Sequence, residues 1–370
     1  MHLPGKLPSQ STFPDPAGAE ESHALANDWT QRGIRLLDAS DPAKLDEALA
    51  CFEAAIQLRA DLPLDSHPWY RWGLTAGWMN LAEVFSRLGR FDEALSAYDH
   101  ALDHLQKLPL AMEPAFRWRL GLVWMKRALT QQSLGHHATA CESLEKSIRV
   151  LSHPTMTTVR DLGTLGCAWM NHAATLMESE PPQPVETQES AQKALACLRP
   201  FEKTDAVAAE AAIKARHRYC QATAYLLETP PVDAASADNW IMTATDAVEE
   251  ALSLAAHWQH QGIHFSDVPL QFFRFGCRIY LAYQPQFLGE FMLDVLRPEG
   301  GRSASDAYFE AASEALKHAA EILRERGPTD FGLTRLDALL QVLARLEAAA
   351  RQIQAWREQP TDLPATAPGD

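Results

Sequence analysis

The chain has no long apolar run, few glycines, and a shortage of positive charge. No segment approaches ~18 consecutive apolar residues, the length that would mark a bilayer-spanning helix. Only 18 of 370 residues are glycine, while alanine and leucine abound, a balance that favours helix over turn-rich sheet. Lysine and arginine total 33 against 48 aspartate and glutamate, a formal charge of -15. That field opposes a nucleic-acid partner, since phosphate binding needs concentrated positive charge. Catalytic signatures are missing too: there is no GxSxG, phosphate loop, GxGxxG or HExxH. An enzyme is therefore not expected, and no cofactor is implied.

The six cysteines (51, 141, 167, 197, 220 and 277) are scattered without a CxxC pair. Each falls in a helical apolar pattern, where a free thiol behaves as a small hydrophobe, so a reduced cytoplasmic setting is expected. The opening MHLPGKLPSQSTFPDPAGAEES carries four prolines and no apolar run, and reads as a disordered arm over 1–22 rather than a signal peptide. Residues 359–370, QPTDLPATAPGD, read as a disordered tail.

What the chain has is a recurring word. AGWMNLAEVFSRLGRFDEALSAYDHALDH, residues 76–104, reads as two helices hinged at Leu88-Gly89-Arg90. Trp78, Leu81, Ala82 and Phe85 share one face, and Ala94, Tyr98 and Ala101 another, with large and small residues alternating so that helices can approach closely. GWMNLA returns as VWMKRA and AWMNHA. Trp29, Trp78, Trp124, Trp169 and Tyr219 hold equivalent places, at spacings of 49, 46, 45 and 50.

The pattern W-x2-L-G-x2-Y followed by A-x3-F belongs to the tetratricopeptide repeat. Trp78, Leu81, Phe85, Ala94 and Tyr98 resemble it in order, with Ala82 in place of Gly. The resemblance covers roughly 24–260 and implies an all-α, right-handed superhelical solenoid of antiparallel helix hairpins. About five hairpins are expected over 23–262, with a C-terminal helical cap over 263–358. Ala48 to Trp78 and Ala94 to Trp124 are each 30 residues, where a 34-residue repeat allows ~18. The additional residues hold YRW and FRW, each Trp six before the main one, so longer helices are expected.

In the resembling family, residues just after the Trp line a concave groove. That implies an apolar stripe of Met79, Met125 and Met170, and a polar ladder of Gln31, Asn80, Lys126, Asn171 and Gln221, with Glu83 and Leu129 beside them. Methionine is polarizable and adaptable, suited to an amphipathic or extended segment, and amides can hydrogen-bond a peptide backbone. The rival expectation is that the methionines pack against a neighbouring helix and the Asn bridge repeats. Asn80 followed by Lys126 is similar to part of the family's carboxylate clamp. Thr30, Ile34 and Leu122 replace its other members, so a chaperone tail is not expected.

Arg71, Arg117, Arg119, Lys126, Arg127 and Arg160 would favour an acidic partner if several faced one side; ordinary surface pairing is the alternative. His257, His260 and His264 tempt a zinc reading, but no neighbouring Cys or acid completes the set, and no metal is expected. Two closing helices are expected near 304–325 and 329–358. The Leu336, Leu339, Leu343, Leu346, Ala350, Ile353 seam would pack on the preceding helix, or else form a homodimer through 329–358. A protein-binding adaptor is the resulting expectation, with self-assembly second and a small-ligand sensor or enzyme, around His217, Arg218 and Tyr219, third.

Overall fold

The computed structural model describes residues 16–39, 41–111, 113–228, 234–263, 265, 268–283, 285–296, 310–317 and 336–357. Among the described residues every regular element is helical. They run α1 (Pro16–Asp38), α2 (Leu45–Ala60), α3 (Pro68–Arg87), α4 (Phe91–Gln106), α5 (Pro114–Ser133), α6 (His137–Leu151) and α7 (Val159–Glu178). Then come α8 (Pro184–Leu198), α9 (Ala206–Glu228), α10 (Ala234–His260), α11 (Val268–Tyr283), α12 (Pro285–Leu296), helical residues at 310–317, and α13 (Leu336–Arg357).

Two compact units divide at Pro182 and Gln183. The Pro-rich loop after α7, ESEPPQP, lies at this division, between the two helices of the fourth hairpin. Helix α1 opens at Pro16, inside the stretch expected to be a disordered arm, and residues 1–15 and 359–370 lie outside the described residues.

In the first unit each helix packs on the next, α1 on α2 through α6 on α7, while α1, α3, α5 and α7 also touch in sequence. The result is two layers, odd helices in one and even helices in the other. Small residues make the close approach possible. Gly33, Ala82, Ala128 and Ala173, each four beyond its Trp, are buried, and the alanines are 0 % exposed. Ala48, Ala94 and Ala140 on the even helices are equally covered. Phe52, Tyr98 and Leu144, four further on, fill the space between layers. Gly89 and Gly135 end their odd helices at φ 73 and 75, a left-handed turn that favours glycine. The amide of the following residue then reaches back to Phe85 O (2.9 Å) or Gln131 O (2.9 Å), closing the helix end.

Helices α3, α5 and α7 each span 20 residues and begin ten residues before their Trp. Pro68 and Pro114 start the first two, where the missing N–H costs nothing; Thr158 and Asp161 form a capping box on the third. The YRW and FRW words thus lie in lengthened first turns, as the spacing requires.

In the second unit α8 through α12 pack in order, and α13 packs on α12. The C-terminal seam runs through Leu346, Ala349 and Ile353, at 3 %, 2 % and 2 % exposure, rather than through Ala350, which is half-buried. Among the described residues it packs on α12: a Cβ on Gly289 would sit 3.2 Å from Ala349 Cβ. Most of the segment expected at 304–325, and the side chains of Leu336, Leu339 and Leu343, lie outside the described residues.

Candidate peptide-binding face

The residue following each Trp should point toward the groove, yet Met125 and Met170 are only 9 % exposed. Met125 joins a core cluster with Ala128, Leu144, Ile148 and Ala168, and Met79 packs half-buried against the core before it. Thr30 is buried as well, its hydroxyl bonded to Ala26 O (2.7 Å). The expected apolar stripe is therefore mostly core. The reason is local: lengthened odd helices lie against one another, and small residues such as Ala168 let them close over the Met.

The polar ladder remains at the surface. Asn80, Lys126 and Asn171 are half-buried, Gln31 and Leu129 exposed. Among the described residues the Asn80 and Asn171 amides make no side-chain hydrogen bond. Gln221 belongs to the second unit, where its oxygen accepts from Arg218 Nη1 at 2.9 Å.

Lys126 is not a free cation. Its Nζ donates to Glu83 Oε2 at 2.6 Å, joining α5 to α3, and Arg87 Nε approaches Glu83 Oε1 at 3.4 Å. Arg87 also donates to Leu37 O (2.8 Å) at the end of α1. Burial pushes the Glu83 carboxyl up, but Lys126 and Arg87 outweigh it and hold the group below its usual value. Glu83 is thus a clasp between repeats.

The other expected cations sort in the same way. Arg71 pairs with Asp65, and Arg127 with Asp99 (2.8 Å). Arg117 reaches only the Leu110 carbonyl, at 3.5 Å. Arg119 and Arg160 instead lie on aromatic rings, Arg119 over Trp72 (3.1 Å to the centroid) and Arg160 over Trp118 (4.3 Å). Exposed Trp69 adds an edge contact to Phe116, so the lengthened first turns carry an aromatic platform.

One functional candidate was missed from sequence. Arg59 on α2, 1 % exposed, donates to Thr30 Oγ1 (2.9 Å) and Asn27 Oδ1 (2.6 Å). The signal was Gly73, which holds the register of Arg119 and Thr164 but leaves room for an arginine from the preceding helix.

His257 contacts the Lys203 carbonyl at 3.2 Å, and His264 lies outside the described residues. Among the described residues no three His, Cys, Asp or Glu side chains gather to hold a metal, and no helix is long and apolar enough to cross a membrane. His217 meets Phe272 and Phe275 edge-on, and Tyr219 is buried beside it.

A two-layer stack of helix hairpins with small residues at fixed register defines a helical-repeat protein. The tetratricopeptide repeat model matches residues 43–107, which hold α2, α3 and α4, so that stretch carries a tetratricopeptide repeat. No curated protein sequence matches it. Among solved structures it is similar to BtubC (BKLC) from P. vanneervenii, at 14% identity over 85% of this chain and 91% of that one, with a TM-score of 0.45. It is also similar to the S. pombe nuclear import adaptor Nro1, at 13% identity, covering 88% and 99%, TM-score 0.41. A third is a Rap protein complexed with competence and sporulation factor, at 14% identity, covering 92% and 100%, TM-score 0.31. Tetratricopeptide repeats typically build protein–protein interaction scaffolds, and are in general non-catalytic.

Proposed function

We propose that the chain is an interaction scaffold whose odd-helix face, across α3, α5 and α7, receives a peptide or helical segment of another protein. One observation carries this reading: Asn80 and Asn171 hold half-buried amides at matching register, with no internal partner among the described residues. An amide so placed can pair with a peptide backbone, donating and accepting at once, whatever the partner's side chains. Exposed Leu129 lies between them in sequence and supplies an apolar contact. Met79 is the only one of the three expected methionines left half-exposed to contribute. Specificity then comes from polar and charged groups more than from an apolar stripe, consistent with a small, transient interface of about micromolar affinity.

A photoreactive benzoylphenylalanine at Leu129, compared with one at exposed Glu142 on α6, tests the face directly. Illuminated in extracts of the source cells, the full chain should form defined adducts from position 129 and not from 142. The same adducts from both positions, or none from 129, would overturn the reading.

A further inference from the structure

The first unit holds arginines for which its own acids provide no match. Arg59 and Arg119 each leave a buried Nε without an acceptor. Arg59 meets only an amide and a hydroxyl, while Arg119 Nη1 meets the Trp72 carbonyl (2.7 Å) and Thr75 Oγ1 (3.4 Å). Arg160 lies on the Trp118 ring with only a long contact from its Nε to Asp161 Oδ1 (3.9 Å), while the other Asp161 oxygen caps α7. His23, beside Arg59, also has an unpartnered buried Nδ1.

These groups form one row. The residue five before each main Trp is Gly73, Arg119 and Thr164 on α3, α5 and α7. Arg59 fills the first rung from α2, its Nε 2.7 Å from where a Gly73 Cβ would stand. Arg119 is the second. At the third, Thr164 accepts from Trp118 Nε1 (2.9 Å) while Arg160 covers the same indole. Arg119 feels its neighbours: burial, then Arg59 and Arg160, lower it to about 9, while burial alone lowers Arg59 to about 10. Both stay charged at neutral pH, in a chain with a large acidic excess.

We propose that Arg119 and Arg160 of this row, over the lengthened first turns of α5 and α7, bind carboxylate side chains of an acidic partner segment running across the odd-helix face, with buried Arg59 adding positive charge behind them. The proposal rests on the scaffold reading above and supplies the chemistry of its partner. Guanidinium forks suit carboxylates, and Trp69, Trp72 and Trp118 offer flat surfaces for the stems of Asp or Glu. The row lies two turns before Asn80 and Lys126, so it is distinct from the register that resembles the family's clamp. The spread of two reachable cations over successive rungs, among aromatics, fits side chains along a peptide. It does not fit a nucleic acid backbone, which the net charge would repel.

The test uses fluorescence anisotropy on the full chain with three labelled probes: a Glu-rich peptide, its Gln counterpart, and one with phosphoserine replacing Glu. The variants are Arg160→Gln, whose side chain is 55% exposed, and Arg119→Gln and Arg119→Lys, each checked by thermal melting. Wild type should prefer the Glu peptide over the Gln peptide by at least about tenfold, with affinity falling as salt rises from about 50 to 300 mM. Arg160→Gln and Arg119→Gln should each lower it by about three- to tenfold, while Arg119→Lys recovers part of the loss. Equal binding of Glu and Gln peptides, or unchanged affinity in folded Arg160→Gln, overturns the inference even if crosslinking at 129 succeeds. Stronger binding of the phosphoserine peptide overturns the carboxylate assignment. A rise in Glu-peptide affinity on deleting 1–15 or 359–370 overturns the partner assignment, the chain itself then being the occupant.

Discussion

A Cβ added to Gly121 on α5 would lie 2.5 Å from Leu151 Cγ on α6. That glycine sets how closely the third hairpin closes, and Ser147 seals the same contact by donating to Gly121 O at 2.7 Å. Gly163 on α7 is the counter-case, because a Cβ there meets nothing within 4 Å. Gly121→Ala gains about 1 kcal/mol of helix propensity but forces Leu151, 1 % exposed, from its place, at a cost of about 1–3 kcal/mol. Gly163→Ala gains the propensity alone, about 0.5–1 kcal/mol. Urea unfolding of both variants should move the midpoint in opposite directions.

The Glu83–Lys126 contact links two repeats through side chains 26% and 30% exposed, between the limits of a solvated and a buried pair. A double-mutant cycle with Glu83→Gln and Lys126→Met should give a coupling of about 1 kcal/mol near pH 7. The carboxyl titrates below its usual 4.5 in the fold, so the contribution is present above 4.5 and lost as pH falls through the lowered value. Repeating the cycle at successively lower pH should bring the coupling toward zero once the carboxyl is protonated, and a coupling unchanged with pH would contradict the assignment.

The hairpins were legible because their signal is steric. A buried Ala82 against Tyr98, or Ala128 against Leu144, repeats with period, and only small residues fit those positions. The groove was less legible because exposure depends on neighbouring helices. Met125 and Met170 share the register of half-exposed Met79, yet close packing in the odd layer covers them. Lys126 reads as a free cation until α3 brings Glu83 to it. Arg59 was legible only indirectly, since its meaning depends on the missing side chain of Gly73 on another helix. The division after Pro182 falls at the Pro-rich ESEPPQP loop, but which loop separates the units follows from contacts.

His217 on α9 gives the second unit its own response to acid. Burial among Phe272 and Phe275, with Arg218 adding repulsion, lowers its pKa from 6.5 to about 4. The fold therefore holds the ring neutral while the unfolded chain accepts a proton. Stability contributed by the neutral ring is intact above 6.5, is lost as pH falls toward 4, and changes no further below that. The full loss is up to about 3 kcal/mol. His217→Phe should flatten this dependence, read as hydrogen exchange of α9 across the range. The same slope in the variant would place the acid sensitivity elsewhere.

Gln131 occupies the register where Phe85 sits one repeat earlier, and it is 5 % exposed. The polar exchange is matched locally: its amide nitrogen donates to Ser143 Oγ at 2.7 Å and its oxygen accepts from Arg127 Nη1 at 2.9 Å. Arg127 goes on to Asp99 on α4, so the network spans two hairpins. Removing one member weakens the others: Gln131→Leu leaves the buried Ser143 hydroxyl with Arg127 Nη1 (3.1 Å) alone and removes Arg127's amide acceptor, and should cost about 1–3 kcal/mol. Restoring the apolar pair with Gln131→Phe and Ser143→Ala together removes both polar groups and should be nearly neutral. Because Arg127 keeps Asp99, its charge has an outlet in either case. Thermal melts of the single and double variants decide the point: a double variant as unstable as Gln131→Leu would mean that the site tolerates only a polar side chain.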